Sequence, residues 1–106
     1  MNAINETGRK IYLAGPVTGV PDYAERFTEA KRCMEKGGYL VLSPEILPKG
    51  FDYEDYMHIT MAMLSLCDTI VLLPGWEQSK GTLRELREAI QTGKDIIQYR
   101  DVEDLL

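Results

Sequence analysis

The sequence contains only two cysteines, one histidine and one tryptophan. Cys33 and Cys67 do not form a C-x-x-C pair, and with His58 they supply too few soft ligands for a structural zinc site. We therefore expect no metal and no cofactor. Both cysteines are interpreted as small buried hydrophobic residues, as is usual for a protein of the reducing cytoplasm.

Long hydrophobic runs and basic stripes are also lacking. The longest apolar run, residues 70–74, is far shorter than the roughly 20 residues that span a bilayer, and residues 1–10 lack the apolar stretch of a signal peptide. The formal net charge is −5, and no basic stripe is present that could displace the counterions of a nucleic acid. We expect neither a membrane nor a nucleic-acid polymer as partner, while a small anionic ligand held by backbone N–H groups stays compatible with this charge.

The chain has 106 residues, of which 44% are hydrophobic, which predicts one domain over residues 1–106. Apolar runs predict strands at residues 11–14, 39–42, 68–73 and 95–99, and helical periodicity follows each of the first three. This alternation indicates an α/β fold, a small Rossmann- or flavodoxin-like three-layer domain. Its parallel sheet has about four strands, in the order 2-1-3-4.

Residue spacing also predicts how the helices begin and which faces they bury. Asp22 and Glu25 have the spacing of a capping box at the start of the first helix, and Gly37-Gly38 ends that helix. The second and third helices are predicted at residues 53–66 and 80–92. The predicted buried residues, in chain order, are Tyr23, Phe27, Ala30 and Met34, then Tyr56, Ile59, Met63 and Leu66, then Leu83, Leu86 and Ile90.

Two glycine-rich loops follow the first and third predicted strands. They are GPVTG, residues 15–19, and PGWEQSKGT, residues 74–82. In a sheet of order 2-1-3-4 these loops flank the switch point, where ligands bind beyond the carboxyl ends of the strands. Glycines let the backbone approach a ligand, and the following helix directs its N–H groups toward it. Neither loop has the P-loop or GxGxxG pattern, so the predicted ligand site depends on position alone.

Glu85 follows the second of these loops, and its spacing leaves two interpretations open. Thr82-x-x-Glu85 has the pattern of a capping box, with Glu85 reaching back to the Thr82 N–H. A carboxylate beside a helix N-terminus also stays ionised and can attack an electrophilic sugar carbon. Spacing alone favours the cap.

The blocks IYLAGPVTG and CDTIVLLPGWEQSKGTLREL, residues 11–19 and 67–86, resemble the nucleoside 2-deoxyribosyltransferase-like superfamily, in particular its short bacterial and phage branch. The resemblance implies a Rossmann-like fold, usually dimeric, that acts on N-glycosidic bonds. The superfamily's catalytic glutamate lies on a D/S-x-G-x-x-x-E pattern, which residues 79–85 fit, so Glu85 becomes the expected nucleophile of a covalent glycosyl intermediate. Ser79 at the first position resembles hydrolases of deoxynucleoside 5′-monophosphates, where this hydroxyl contacts phosphate.

The predicted substrate-binding residues come from the two loops and the strand before the first of them. They are Tyr12, Gly15, Pro16, Thr18, Gly19, Trp76, Ser79, Gly81 and Thr82. Tyr12 is interpreted as strand packing, with a hydroxyl near the pocket as the alternative. Trp76 is interpreted as loop packing or a dimer contact, with base stacking as the alternative.

One departure from the superfamily pattern leaves a second function open. The superfamily commonly carries an aspartate on the second helix that protonates the base, and Thr60 occupies its place here. A threonine hydroxyl is no general acid. The prediction is therefore an N-deoxyribosyltransferase or a deoxynucleoside 5′-monophosphate N-glycosidase, and the alternative is a nucleotide-binding module without chemistry. In either case the expected partners are a nucleoside or nucleotide and further copies of the chain, as a homodimer or higher homo-oligomer.

Overall fold

A computed structural model describes residues 9–106, which form a four-stranded parallel sheet with helices on both faces. The strands are β1 (Lys10–Ala14), β2 (Leu40–Leu42), β3 (Thr69–Leu72) and β4 (Asp95–Gln98), and the helices are α1 (Tyr23–Lys36), α2 (Tyr53–Ser65) and α3 (Lys80–Gln91). The strand order is β2-β1-β3-β4, with every pair parallel. The predicted fold class and strand order are confirmed.

Side chains of β1 and β3 alternate between the two faces of the sheet, so each face has its own core. On one face the strands pack against α1, through Ile11, Leu13, Val71, Phe27, Ala30 and Met34. On the other face they pack against α2 and α3, through Tyr12, Ala14, Ile70, Leu72, Leu64 and Ala89. All four residues of β3 are buried, as its unbroken apolar run predicts for a strand covered on both sides.

The start of α1 differs from the prediction. The side chain of Asp22 makes no capping hydrogen bond, so the predicted capping box with Glu25 is wrong. Asp22 has φ −100° and ψ 24° instead of the extended backbone typical of a capping residue. Its Oδ2 accepts a hydrogen bond from Arg26 Nε at 3.0 Å instead. The helix does end at Lys36, just before Gly37-Gly38, as predicted.

The buried face of α2 is displaced by one position from the predicted one, whose residues Tyr56, Ile59 and Met63 are half-buried. The residues of α2 that are buried are Met57, Thr60 and Leu64, each one position away from a residue of the predicted set. Leu66 is 67% exposed. The face of α2 that includes Met57 and Thr60 borders a cavity, and the helix also packs against α3, so a polar threonine is among its buried residues.

The helix α3 shows the same shift. Its buried residues are Thr82, Glu85 and Ala89, while Leu83 and Ile90, which were predicted to be buried, are 44% and 59% exposed. The face of α3 toward the sheet thus carries small and polar side chains. Leu86, the third residue predicted to be buried, is half-buried and packs against the core.

Truncation at Leu66 tests this corrected face of α2. Because Leu66 is mostly exposed, Leu66→Ala should change the free energy of unfolding by no more than about 0.5 kcal/mol. Leu64 has no exposed area, so the same truncation there should cost about 2–5 kcal/mol. Urea denaturation of the two variants measures both free energies of unfolding. An equal loss of stability in Leu66→Ala and Leu64→Ala would support the buried face predicted from periodicity.

Within residues 9–106, no helix is both long enough and apolar enough to cross a bilayer.

Candidate functional site

A cavity of about 730 Å³ lies beyond the carboxyl ends of β1 and β3, where the strand order switches. This is the position at which open parallel sheets bind ligands. Most of its lining comes from the loop after β1, the loop before α2, the first two turns of α2 and the start of α3. We refer to it as the site cavity, and its size is typical of small-molecule pockets.

The start of α3 excludes one of the two interpretations of Glu85, the capping box. The helix begins at Lys80, with Ser79 as its capping residue, and Ser79 Oγ accepts a hydrogen bond from the Thr82 N–H at 3.2 Å. Glu85 is therefore the sixth residue of the helix and does not reach the position that a capping box requires. The capping interpretation of Glu85 is wrong, because the helix starts three residues earlier than that box assumes.

Glu85 is a buried carboxyl on the wall of the site cavity. It is only 5% exposed, and its Oε2 accepts a hydrogen bond from the Tyr12 hydroxyl at 2.8 Å. Burial raises the pKa of Glu85 above its usual value because desolvation disfavours the charged form, while hydrogen bonds from the Thr60 and Tyr12 hydroxyls and the charge of Arg84 oppose that rise. The result is an oriented carboxyl group without a full hydration shell.

Tyr12 holds this carboxyl in place from β1. Its side chain is fully buried, and burial together with the charge of Glu85 raises the pKa of Tyr12 well above its usual range. The phenol therefore keeps its proton and acts as a hydrogen-bond donor to Glu85. Its position on β1, in the middle of the sheet, fixes the donor rigidly.

Most of the predicted site residues line the site cavity. Those that do are Tyr12, Gly15, Pro16, Thr18, Ser79, Gly81, Thr82 and Glu85. Gly19 has φ +78° at an exposed turn and does not line the cavity. Trp76 lies outside it as well, because its ring packs beside Leu72 and Leu86 and its Nε1 donates to Gln98 Oε1 at 3.3 Å.

Several residues that line the site cavity were missed by sequence reasoning. Tyr23 and Tyr56 were assigned to buried helix faces, and Tyr53 and Lys49 were assigned no role, yet all four line the cavity. A tyrosine at helical spacing gives the same pattern in a core and in a pocket wall, so periodicity could not separate the two. For Lys49, the sequence did offer one signal, its place in the polar loop before the second helix.

Glu85 is the only carboxylate among the described residues that line the site cavity. Thr60, on α2, is a close neighbour of Glu85, and its hydroxyl lies 3.4 Å from the Met57 carbonyl oxygen. In the part of the chain that the structure describes, no group of three or more His, Cys, Asp or Glu side chains is arranged to hold a metal ion. The chemistry that this cavity offers is that of one oriented carboxylate.

Comparison with known proteins agrees with this fold. Residues 9–98 match the family model described as "Domain of unknown function (DUF4406)". No curated protein matches the sequence. The fold is similar to that of a 2-desoxiribosyltransferase from Leishmania mexicana, with a TM-score of 0.66 and 27% identity, covering 85% of this chain and 63% of that one. This chain thus spans less than two thirds of that protein.

A second solved structure has the same fold. It is a CMP N-glycosidase from Clostridium botulinum, with a TM-score of 0.64 and 21% identity, covering 85% of this chain and 70% of that one. Together the two structures confirm the nucleoside 2-deoxyribosyltransferase-like fold that the sequence motifs resemble. By their names, one transfers deoxyribosyl groups and the other cleaves an N-glycosidic bond.

Proposed function

We propose, from the premise that this chain belongs to the DUF4406 family, that it cleaves or transfers the N-glycosidic bond of a nucleoside or nucleoside 5′-monophosphate. The observation that carries the proposal is the buried carboxyl of Glu85, oriented by Tyr12 on the wall of a cavity at the switch point of the sheet. The names of the two structures with this fold support the same class of bond.

In the first step a Glu85 carboxylate oxygen attacks C1′ of the sugar. The new C1′–O bond forms as the C1′–N bond to the base breaks, and the bonding electron pair leaves with the base. Burial of Glu85 favours this attack, because a carboxylate that has lost its hydration shell is a more available nucleophile. The Tyr12 hydrogen bond favours the ionised form of the carboxylate and orients it.

In the second step water attacks C1′ from the side that the base has left. The C1′–O bond to Glu85 breaks, its electron pair returns to the carboxylate, and the proton of the water passes to solvent. An acceptor base in place of water would give transfer instead of hydrolysis. The departing base takes its proton from solvent, since the Thr60 hydroxyl does not act as a general acid at neutral pH.

Thr60 is also the observation that favours the second candidate, a nucleotide-binding module on the same fold. Without a side-chain acid for the base, the cavity would hold the ligand while the N-glycosidic bond stays intact. Binding would then stabilise the fold without any turnover, by about 2.7 kcal/mol at a ligand concentration one hundred times the Kd.

The proposal is tested by base release from a panel of nucleosides, deoxynucleosides and their 5′-monophosphates, followed by chromatography. We expect free base from at least one of them. A short incubation quenched in acid should also give protein heavier by one glycosyl group, as measured by mass spectrometry and mapped to the peptide that carries Glu85. Ligand-dependent stabilisation without any base release, at high protein concentration and long times, would support the binding module instead.

A further inference from the structure

The loop before α2 carries one lysine, Lys49, at the site cavity, and hydrogen bonds to Tyr56 hold the backbone on either side of it. The Tyr56 hydroxyl donates to the Pro48 carbonyl oxygen at 2.6 Å and accepts from the Phe51 N–H at 3.2 Å. These two bonds bracket Lys49 and Gly50, and Gly50 has φ +111°, a backbone conformation that side chains rarely adopt. The Phe51 ring packs edge-on against the Tyr56 ring, with centroids 6.0 Å apart. The backbone of Lys49 is therefore part of a well-ordered turn at the cavity wall.

The charges on the cavity wall are the reverse of those of the whole chain. The chain carries a net charge of −5, yet the described residues that line the cavity include two lysines, Lys49 and Lys80, and one carboxyl, Glu85. No carboxylate of residues 9–106 lies within 4.0 Å of either ammonium group. The Lys80 Nζ lies 5.5 Å from the centre of the Tyr53 ring, on another wall of the same cavity.

We propose that Lys49 is a specificity-determining residue that binds the 5′-phosphate of the substrate, so that the site cavity selects nucleoside 5′-monophosphates over nucleosides. This inference rests on the proposed function for the location of the site. A phosphate monoester carries a charge of about −1.5 to −2 at pH 7, which two ammonium groups match. A neutral nucleoside would leave both of them without a counter-charge.

The test compares binding of each common ribo- and deoxyribonucleoside 5′-monophosphate with binding of its own nucleoside, by calorimetry. For the monophosphate that the wild-type protein binds best, Lys49→Met should weaken binding about tenfold, the effect of one lost charge-assisted hydrogen bond. Binding of the matching nucleoside should stay unchanged. Lys36→Met is the matched control, because Lys36 is an exposed lysine in the last turn of α1 with the same charge, outside the cavity.

Lys49→Arg keeps the charge and should retain most of the affinity for the monophosphate, which separates loss of charge from damage to the turn. An equal loss of monophosphate and nucleoside binding in Lys49→Met would overturn the proposal. So would wild-type protein that binds nucleosides as tightly as monophosphates, or that binds no monophosphate at all.

The two proposals fail in different ways. Binding of monophosphates that depends on Lys49, with no base release, would contradict the proposed function and leave the role of Lys49 standing. Base release at the same rate from nucleosides and from their monophosphates would support the proposed function and contradict the role of Lys49.

Discussion

Glu85→Gln is expected to lower base release by on the order of a thousandfold or more, as the loss of a nucleophile does in other enzymes. The amide is close to the carboxyl in shape and can still accept the hydrogen bond from Tyr12, so the architecture of the cavity should survive. What is lost is the negative oxygen that attacks C1′. The measurement is the initial rate of base release by wild type, Glu85→Gln and Glu88→Gln, whose side chain is exposed on the same helix.

The same substitution should stabilise the fold at neutral pH. The folded-state pKa of Glu85 is raised from its ordinary value of 4.5, so the folded chain binds this proton more tightly than the unfolded chain does. The stability due to that proton is present below pH 4.5 and is lost as pH rises through the folded pKa. Glutamine does not titrate, so the Glu85→Gln variant does not lose this stability as pH rises.

The gain in stability should therefore be near zero at low pH, appear as pH rises above 4.5, and level off above the folded pKa of Glu85. Thermal unfolding of wild type and both variants at several pH values measures it, since each kcal/mol shifts the Tm of a domain of this size by roughly 4–8 °C. Residues of active sites often lower the stability of the fold in this way. A Glu85→Gln variant that releases base like wild type, or that is less stable at neutral pH, would contradict the assigned role.

The sheet could be predicted from the sequence because its signals are local. The unbroken apolar run from Thr69 to Leu72 indicates a strand that is covered on both faces, and all four residues are buried. Glycines mark the ends of the elements, as Gly37 does after α1. The strand order 2-1-3-4 is that of a flavodoxin-like sheet, the fold type that the alternation of strands and helices indicates.

The side of each helix that faces the sheet could not be read in the same way. Periodicity places apolar residues inside, but α2 and α3 turn Thr60, Thr82 and Glu85 toward the sheet and leave Leu66 and Leu83 exposed. The three polar residues, Thr60, Thr82 and Glu85, all line the site cavity. A functional pocket replaces apolar packing by polar side chains, so a pattern that assumes an apolar core fails at the site itself.

Trp76 and the start of α3 show two further limits of reading a sequence. A tryptophan in a loop after a strand can turn to either side of the sheet edge, and the hydrogen bond to Gln98 on β4, distant in sequence, directs it away from the cavity. At the start of α3, Ser79 and Thr82 both have capping chemistry, and the pattern T-x-x-E selects the wrong one. The tertiary contact of Tyr12 with Glu85 was not available to local spacing.

Tyr12→Phe is expected to lower base release at neutral pH by about ten- to a hundredfold, because a hydrogen bond to a charged group contributes about 1.5–3 kcal/mol. The Tyr12 hydroxyl lies 2.8 Å from Glu85 Oε2 and favours the ionised form. Without it, the pKa of Glu85 should rise further, because only the Thr60 hydroxyl and the charge of Arg84 then oppose the effect of burial.

A positioning role for Tyr12 should therefore appear in the pH profile of kcat/KM. The rate falls at low pH as Glu85 becomes protonated, and in Tyr12→Phe this fall should begin at a higher pH than in wild type, with part of the lost rate recovered in alkaline solution. Tyr53→Phe is the control, because Tyr53 lines the same cavity and makes no hydrogen bond to Glu85. A rate loss of equal size at every pH would mean that Tyr12 acts on packing or on the substrate, and that Glu85 titrates independently of it.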